Sequence, residues 1–265
     1  MRLGILIILF ISILSCAKKT EPVDSIFVQQ QEISIAQPRV TATSTIIDST
    51  VKITAALALE DVAIYYTTDG AVPTENNTKY TVPITVQKEG KYAFKAFHPD
   101  WKPSETTTLK LYKKGITPRK MDWQTTAHTT YPGVGPMTVL NQKKASLNFK
   151  DQQWMGYDSL AFAKAYFDKK PFIKSMTIGY LIDTKSWIFP PEKVVVLLNE
   201  KDTLQIDIPK TTEGETPRLD DVYIPINKEI ERVSIRVYNT SKLPEWHPGK
   251  GLKAWLFMDE WIFNE

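Results

Sequence analysis

The chain has 265 residues, of which 42% are hydrophobic and 11% are aromatic, and its formal net charge is +3. Such a composition can bury hydrophobic cores, which excludes an intrinsically disordered protein. The charge is nearly balanced and forms no basic stripe, which excludes a typical nucleic-acid-binding protein. The length allows one large domain or two ordinary ones.

The N-terminus has the pattern of a secretory signal. Arg2 precedes an apolar stretch at residues 5–14, which is shorter than the roughly 20 residues of a membrane-spanning helix. The stretch ends in Ile13-Leu14-Ser15-Cys16, which resembles a bacterial lipobox. The resemblance implies that residues 1–15 are a lipoprotein signal peptide and that Cys16 becomes the acylated N-terminus. The alternative is a simple secretory signal with an incidental cysteine.

From Cys16 onward, the sequence predicts a protein that is lipid-anchored in the bacterial cell envelope. Residues 16–25 are polar and include Lys18, Lys19 and Pro22, which indicates a tether. Cys16 is the only cysteine, so no disulfide can form within the chain, and stability must come from hydrophobic cores.

The remaining chain has the pattern of an all-β protein, because short runs rich in β-branched and aromatic residues alternate with turn formers. Helical periodicity is nearly absent, and only residues 160–167 are ambiguous between helix and strand. Strands are predicted at residues 51–55, 62–67, 91–97, 106–112, 174–180, 193–198, 233–238 and 254–258. Residues 113–118 combine charge, Gly and Pro after a strand, which predicts a domain boundary there.

Residues 26–113 carry four separated motifs that resemble the immunoglobulin-like domain at the C-termini of chitobiases and β-hexosaminidases. The motifs are residues 65–70, which end in an Asp-Gly turn, and residues 79–84, 92–97 and 101–104. The resemblance implies a small immunoglobulin-like β-sandwich that acts mostly as a spacer.

Residues 116–265 resemble the discoidin-like module of the coagulation factor 5/8 C-terminal type, which ends many Bacteroidetes β-hexosaminidases. Four segments carry this resemblance: residues 148–157, 178–183, 186–194 and 243–257. It implies a galactose-binding-like jelly-roll β-sandwich, related to family 32 carbohydrate-binding modules, which bind terminal sugars with loops at one end.

Four residues in or beside the Gly- and Pro-rich connections of this module are candidates for glycan binding: Trp187, Trp246, His247 and Tyr157. Loops on rigid β scaffolds often carry binding residues, and a flat indole can stack on the apolar face of a sugar. The alternative is that these aromatics plug the ends of the sandwich. Trp154 and Trp255 are predicted to be core residues.

The sequence predicts no enzymatic activity. The pair Asp259-Glu260 resembles the catalytic pair of β-hexosaminidases, but it falls in the last strand of the module, and the β pattern leaves no room for a (β/α)₈ barrel. No Gly-x-Ser-x-Gly motif is present, and the three histidines lack zinc-ligand spacing.

No cofactor is expected to be required, but a structural calcium ion is one inorganic possibility. Modules of the resembled family often hold Ca²⁺ between an early loop and an acidic residue in the last strand. The corresponding positions here are Asn141, backbone oxygens near Ser146, and Glu260; because Asn141 replaces an aspartate, one negative charge is lost. The alternative is that Glu260 is salt-bridged or solvated.

The sequence therefore predicts a non-catalytic, membrane-anchored lipoprotein that binds glycan or polysaccharide. The alternative function is a structural or interaction lipoprotein, which would dock a glycosidase or a surface complex without binding sugar itself.

Overall fold

The structure, a computed structural model, describes residues 33–265. The predicted signal peptide, the tether and Cys16 lie outside the described residues. Regular structure within residues 33–265 is almost entirely β, which confirms the predicted fold class. No helix in this range is long and apolar enough to cross a bilayer.

The first part of the described chain forms a two-layer β-sandwich. One sheet has the strand order β1-β3-β6, and the other has the order β2-β8-β7-β4-β5. Ile53, Phe94 and Leu111 are fully buried between the two sheets. The strands are β1 (Arg39–Ala42), β2 (Ile46–Ile47), β3 (Val51–Ala56), β4 (Ala63–Thr67), β5 (Thr78–Lys79), β6 (Ile84–Val86), β7 (Gly90–Phe97) and β8 (Thr107–Lys113).

The predicted Asp-Gly turn follows β4. Gly70 has a φ of +81°, a conformation that favours glycine, and the Asp69 carboxylate accepts a hydrogen bond from the Ala71 N–H at 3.0 Å. The sequence therefore predicted both the position and the chemistry of this turn.

The second part forms a larger β-sandwich with sheet orders β10-β17-β12-β15 and β14-β13-β16-β11-β9. Two short 3₁₀ helices, Thr138–Leu140 and Thr184–Ser186, lie in its connections. The ambiguous segment at residues 160–167 is a strand. The strands are β9 (Lys120–Trp123), β10 (Met155–Tyr157), β11 (Ala161–Tyr166), β12 (Phe172–Ile182), β13 (Lys193–Leu198), β14 (Asp202–Asp207), β15 (Arg218–Glu229), β16 (Arg232–Tyr238) and β17 (Leu256–Asn264).

The second sandwich has hydrophobic clusters on both faces of its four-stranded sheet. Ile178, Ile235 and Phe263 belong to the large core between the two sheets. A smaller cluster around Trp154 is formed with the connection before β10, and Trp255 is half-buried against it. Trp154 is thus a core residue as predicted, whereas Trp255 is only partly buried.

Several connections leave the second sandwich at one end, which we call the loop end. Three of them matter for the site. Ile182 at the end of β12 pairs with Arg218 at the start of β15. Lys193 at the start of β13 pairs with both Asp207 at the end of β14 and Tyr238 at the end of β16. These pairings place residues 183–192, 208–217 and 239–255 beside one another.

The connection between the sandwiches is docked on β17. The Ile116 N–H donates to the Phe263 carbonyl at 2.9 Å, and a Cβ on Gly115 would lie 2.6 Å from the same oxygen, so only glycine fits. The predicted boundary at residues 113–118 falls between β8 and β9. Independent folding of residues 116–265 stays a prediction.

Candidate functional site

Four rings from two of the loop-end connections form an aromatic cluster, which consists of Trp187, Phe189, Trp246 and His247. The His247 ring makes edge-to-face contacts with Trp187, Phe189 and Trp246 at centroid distances of 5.1, 5.3 and 5.8 Å. The structure therefore brings together three of the four residues predicted to bind glycan. Trp246 and His247 lie 59 or more positions after Trp187 in the sequence.

His247 is not a ligand-binding residue in this structure, which corrects the sequence-based prediction. The side chain is only 4% exposed. Its Nδ1 accepts the Gly249 N–H at 3.1 Å, so Nε2 carries the proton and donates to the Thr184 carbonyl at 2.9 Å. Both ring nitrogens are therefore used to join the two connections, and His247 has a structural role.

Trp187 is the exposed member of the aromatic cluster. It follows the Thr184–Ser186 helix with a φ of +65°, and 36% of its surface is exposed. One part of its indole packs on Gly249, where a Cβ would overlap the ring. The remaining part of the indole is exposed, and glycan binding by Trp187 stays a prediction.

Trp246 is half-buried and stacks on Phe189 at a centroid distance of 5.9 Å. Phe189 is itself buried and forms part of the wall of a cleft beside the cluster. Trp246 therefore packs against a residue of the cleft wall.

The cleft at the loop end has a volume of about 420 Å³. Its lining combines apolar residues, threonines and charged residues from three connections, which is the mixed chemistry expected of a small-ligand site. The lining residues are Phe189, Pro190, Pro191, Glu192, Lys193, Asp207, Ile208, Pro209, Lys210, Thr211, Thr240, Lys242 and Pro244. Sequence reasoning predicted none of them as binding residues, because none is a large exposed aromatic.

Tyr157, the fourth predicted binding residue, lies in the core rather than at the cleft. Its side chain is buried between the sheets and stacks on Trp123 at a centroid distance of 5.8 Å. The hydroxyl has no hydrogen-bond partner among residues 33–265, and burial raises its pKa. The prediction for Tyr157 is therefore wrong: a position beside a loop did not give its side chain access to the surface.

Two of the three predicted calcium ligands, Asn141 and Ser146, already make hydrogen bonds within their own loop. The Asn141 amide donates to Gln153 Oε1 at 2.6 Å, and Asn141 Oδ1 accepts the Lys143 N–H at 3.0 Å. The Ser146 hydroxyl accepts the Asn148 N–H, and the Ser146 carbonyl accepts the Trp154 indole N–H at 3.0 Å. No group of three or more His, Cys, Asp or Glu residues that could hold a metal occurs within residues 33–265.

Glu260 is the predicted ligand that still has an unused oxygen. It is fully buried, and its Oε2 accepts the Gln142 N–H at 3.0 Å, whereas Oε1 has no hydrogen-bond partner within residues 33–265. The side-chain oxygen of Gln142 is likewise buried without a partner among these residues. Ca²⁺ takes six to eight oxygen ligands, so calcium at Asn141, Ser146 and Glu260 stays a prediction.

The competing explanation for the unpaired Glu260 oxygen is a proton on this carboxyl group. Such a proton makes the stability of the fold depend on pH. Burial, together with the neighbouring charge of Asp259, raises the pKa of Glu260 from 4.5 to about 8. A raised carboxyl pKa stabilises the fold fully below pH 4.5, and this stability is lost as the pH rises through about 8.

We expect the free energy of unfolding to fall as the pH rises from about 4.5 to about 8, and Glu260→Gln to remove part of that fall. Denaturant titrations in EDTA measure this directly. Repeating them in millimolar CaCl₂ distinguishes a bound calcium ion from a proton on Glu260, because bound calcium would favour the carboxylate and flatten the pH dependence. An identical pH slope in wild type and Glu260→Gln would contradict the assignment.

A buried ion cluster, which sequence reasoning missed, joins the two sandwiches. Lys144 Nζ contacts Asp259 Oδ1 at 2.6 Å and Asp221 Oδ1 at 3.3 Å, and the Lys144 side chain is only 6% exposed. From the first sandwich, Lys110 Nζ and the Tyr112 hydroxyl both donate to Asp221 Oδ2 at 2.6 Å. The two ammonium groups balance the two carboxylates.

The backbone of β17 makes this cluster possible. Ile178 pairs with Trp261 and Tyr180 with Met258, so two residues, Asp259 and Glu260, lie opposite the single residue Gly179. A Cβ on Gly179 would overlap both Lys144 Nζ and Asp259 Oδ1. Glycine therefore leaves the space in which the buried ion pair forms.

The pKa values of the cluster follow from its geometry. Desolvation alone would lower the pKa of Lys144, but Asp259 and Asp221 outweigh it and raise that pKa. Burial acts to raise the pKa of Asp221, and the ammonium groups of Lys144 and Lys110 overcome it, so the net shift is downward. Both shifts favour the charged forms, whereas burial raises the pKa of Asp259 despite its contact with Lys144.

Comparison with known proteins gives one family match. Residues 41–108 match the family model of the chitobiase/beta-hexosaminidase C-terminal domain, which confirms the resemblance seen in the first sandwich over those residues. No curated protein matches the chain by sequence.

Solved structures with similar architecture have low identity to this chain. CpGH89CBM32-4 from Clostridium perfringens, solved in complex with GlcNAc-α-1,4-galactose, is 10% identical over 56% of this chain and 90% of its own, with a TM-score of 0.34. A SusE-like protein is 8% identical over 83% and 96%, with a TM-score of 0.32. A fucolectin from striped bass (Morone saxatilis) serum is 8% identical over 84% and 83%, with a TM-score of 0.31. These TM-scores are too low to transfer a binding activity.

Proposed function

We propose that the protein is a non-catalytic glycan-binding lipoprotein of the bacterial cell envelope, anchored through Cys16. The loop-end cleft is its glycan site, and the first sandwich is a spacer between membrane and site. The observation that carries this proposal is the mixed lining of the cleft.

A sugar ring has apolar C–H faces and a polar edge, so a glycan site needs both kinds of surface. On its apolar side the cleft offers Ile208, Pro209 and Pro244, which are half-buried or exposed, whereas Phe189 is buried in the wall. Thr211, Thr240 and the charged side chains supply hydrogen-bonding groups. A single small-sugar site buries few atoms, so we expect dissociation constants in about the high micromolar to millimolar range.

The absence of catalysis is part of the proposal. Asp259 and Glu260, the pair that resembles a glycosidase acid pair, are both buried in the last strand. Asp259 is bound to Lys144. Neither carboxyl group can contact a saccharide at the protein surface without local unfolding.

A docking role is the second candidate function. β15 is an edge strand of its sheet, and it exposes Tyr223, at 63%, and Leu219. Exposed edge strands can pair with another chain. The loop end, in contrast, is concave and mixed in polarity, which favours a glycan over a flat protein partner there.

Thr211→Trp should abolish glycan binding, because the half-buried Thr211 lines the cleft and an indole would fill it. Thr203→Trp is the matched control, since Thr203 is exposed on β14 far from the loop end. Calorimetry with the best ligand from a glycan array measures the effect, which we expect to exceed about tenfold in affinity.

Trp187→Ala tests the other possible surface in the same assay. If Trp187→Ala removes binding while Thr211→Trp leaves it intact, the glycan stacks on the exposed indole and the cleft assignment is wrong. If the control loses binding equally, the loss is not specific to the cleft.

A further inference from the structure

The cleft carries three lysines, and each comes from a different segment of the loop end. Lys193 begins β13 after the 183–192 connection, Lys210 lies in the 208–217 connection, and Lys242 lies in the 239–255 connection. Segments that are distant in sequence therefore bring three ammonium groups to one concave surface.

None of these three ammonium groups lies within 4 Å of a carboxylate in the part of the chain that the structure describes. Two acidic residues of the same connections pair elsewhere: Glu245 pairs with Lys250 at 3.3 Å, and Glu215 pairs with Arg218. The three lysines of the cleft therefore form no ion pair within residues 33–265.

The two carboxylates that line the cleft already accept hydrogen bonds from other residues. Glu192 Oε1 accepts hydrogen bonds from the Ser241 N–H at 2.9 Å and the Ser241 hydroxyl at 2.8 Å. Asp207 Oδ1 accepts one from the Gln205 amide at 2.9 Å. With three lysines against two engaged carboxylates, the cleft has a net positive charge.

Lys193 has a defined position. Its Nζ lies 5.0 Å from the centroid of the Tyr238 ring, a cation–π contact that restrains the ammonium group at the edge of the cleft. This contact uses the face of an aromatic ring and no hydrogen-bond acceptor, so the three N–H donors of Lys193 remain available.

We propose that the cleft selects an acidic saccharide, in which a carboxylate or sulfate group on the sugar lies among Lys193, Lys210 and Lys242. The apolar face of the ring then lies against the apolar side of the cleft, which Ile208, Pro209 and Pro244 form. This inference rests on the proposed glycan-binding function and adds the ligand class to it.

The test compares matched sugars on the full-length protein in detergent. Isothermal titration or NMR titration with D-galactose, D-galacturonic acid and D-galactose 6-sulfate is carried out at low ionic strength. We expect at least one acidic sugar to bind about tenfold more tightly than galactose, and 0.5 M NaCl to remove most of that preference. The carboxylate and sulfate arms show which anionic group is preferred.

Variants assign the preference to the cleft. The double variant Lys210→Gln/Lys242→Gln should bind acidic and neutral sugars within about twofold of each other. Lys185→Gln, an exposed loop-end lysine outside the cleft lining, should keep the preference. Equal affinity of wild type for neutral and acidic sugars would overturn the acidic-ligand inference while leaving glycan binding standing. Binding of no sugar at all would instead reject the proposed function.

Discussion

Lys144→Met should destabilise the protein by about 3–5 kcal/mol, because it leaves two buried carboxylates, Asp221 and Asp259, without their shared cation. Denaturant unfolding at pH 7 measures the loss. Lys143→Met is the matched control: this neighbouring side chain is exposed, so its loss should change the free energy of unfolding by no more than about 0.5 kcal/mol.

A second variant connects the effect to the ion cluster. Lys144→Met combined with Asp259→Asn should be less destabilised than the sum of the two single changes, since the amide removes one of the unpaired buried charges. Strict additivity, or a Lys144→Met protein as stable as the control, would contradict the buried ion cluster.

Cys16→Ala should abolish lipid modification of the protein, the other large effect that we expect. Acylation by several chains anchors a protein firmly, whereas the sequence after residue 16 predicts a polar tether and β-sandwiches. Metabolic labelling with radioactive palmitate should label the wild type and leave Cys16→Ala unlabelled.

Membrane partitioning needs a separate control, because an unprocessed Cys16→Ala chain retains the apolar residues 5–14. A chain that begins at residue 17 behind a cleavable signal should partition into the aqueous phase in detergent, whereas the wild type enters the detergent phase. Equal labelling of wild type and Cys16→Ala would reject the lipoprotein assignment.

Strands with clear alternation were predictable from the sequence. Residues 193–198 match β13 at both ends, because β-branched residues there follow two prolines and precede a turn at Asn199, where φ is positive. The Asp-Gly turn after β4 was predictable for the same reason: its chemistry is local.

The twelve-residue β15 was missed because it contains Asp220-Asp221 and Pro225. β15 is an edge strand, where a proline need not supply a ladder hydrogen bond. Asp221 is neutralised by Lys144 and Lys110, which lie 77 and 111 positions away in the chain. Contacts at that separation leave no local pattern.

β17 extends to Asn264 and includes Asp259-Glu260, although the β-rich run that predicted this last strand ends at residue 258. The next two residues are acidic, and charges normally mark the end of a buried strand. Here the strand continues because β17 has one extra residue opposite Gly179. The carboxyl groups of Asp259 and Glu260 also have hydrogen-bond partners.

The candidate site was only partly predictable. The sequence placed Trp187, Trp246 and His247 in loops, and they do meet at the loop end. The inward direction of the His247 ring depends on the Thr184 carbonyl from another connection, and the cleft itself depends on three segments that approach one another only in the folded chain.

The most direct test of the central claim is an NMR titration of the isotope-labelled protein with the saccharide that binds best on a glycan array. Glycan binding at the loop end predicts chemical-shift changes confined to residues of the cleft, such as Thr211, Thr240 and Lys242, with resonances of the opposite end unchanged. Shifts centred on the exposed edge strand β15, or no saturable shift with any array-positive saccharide, would contradict it.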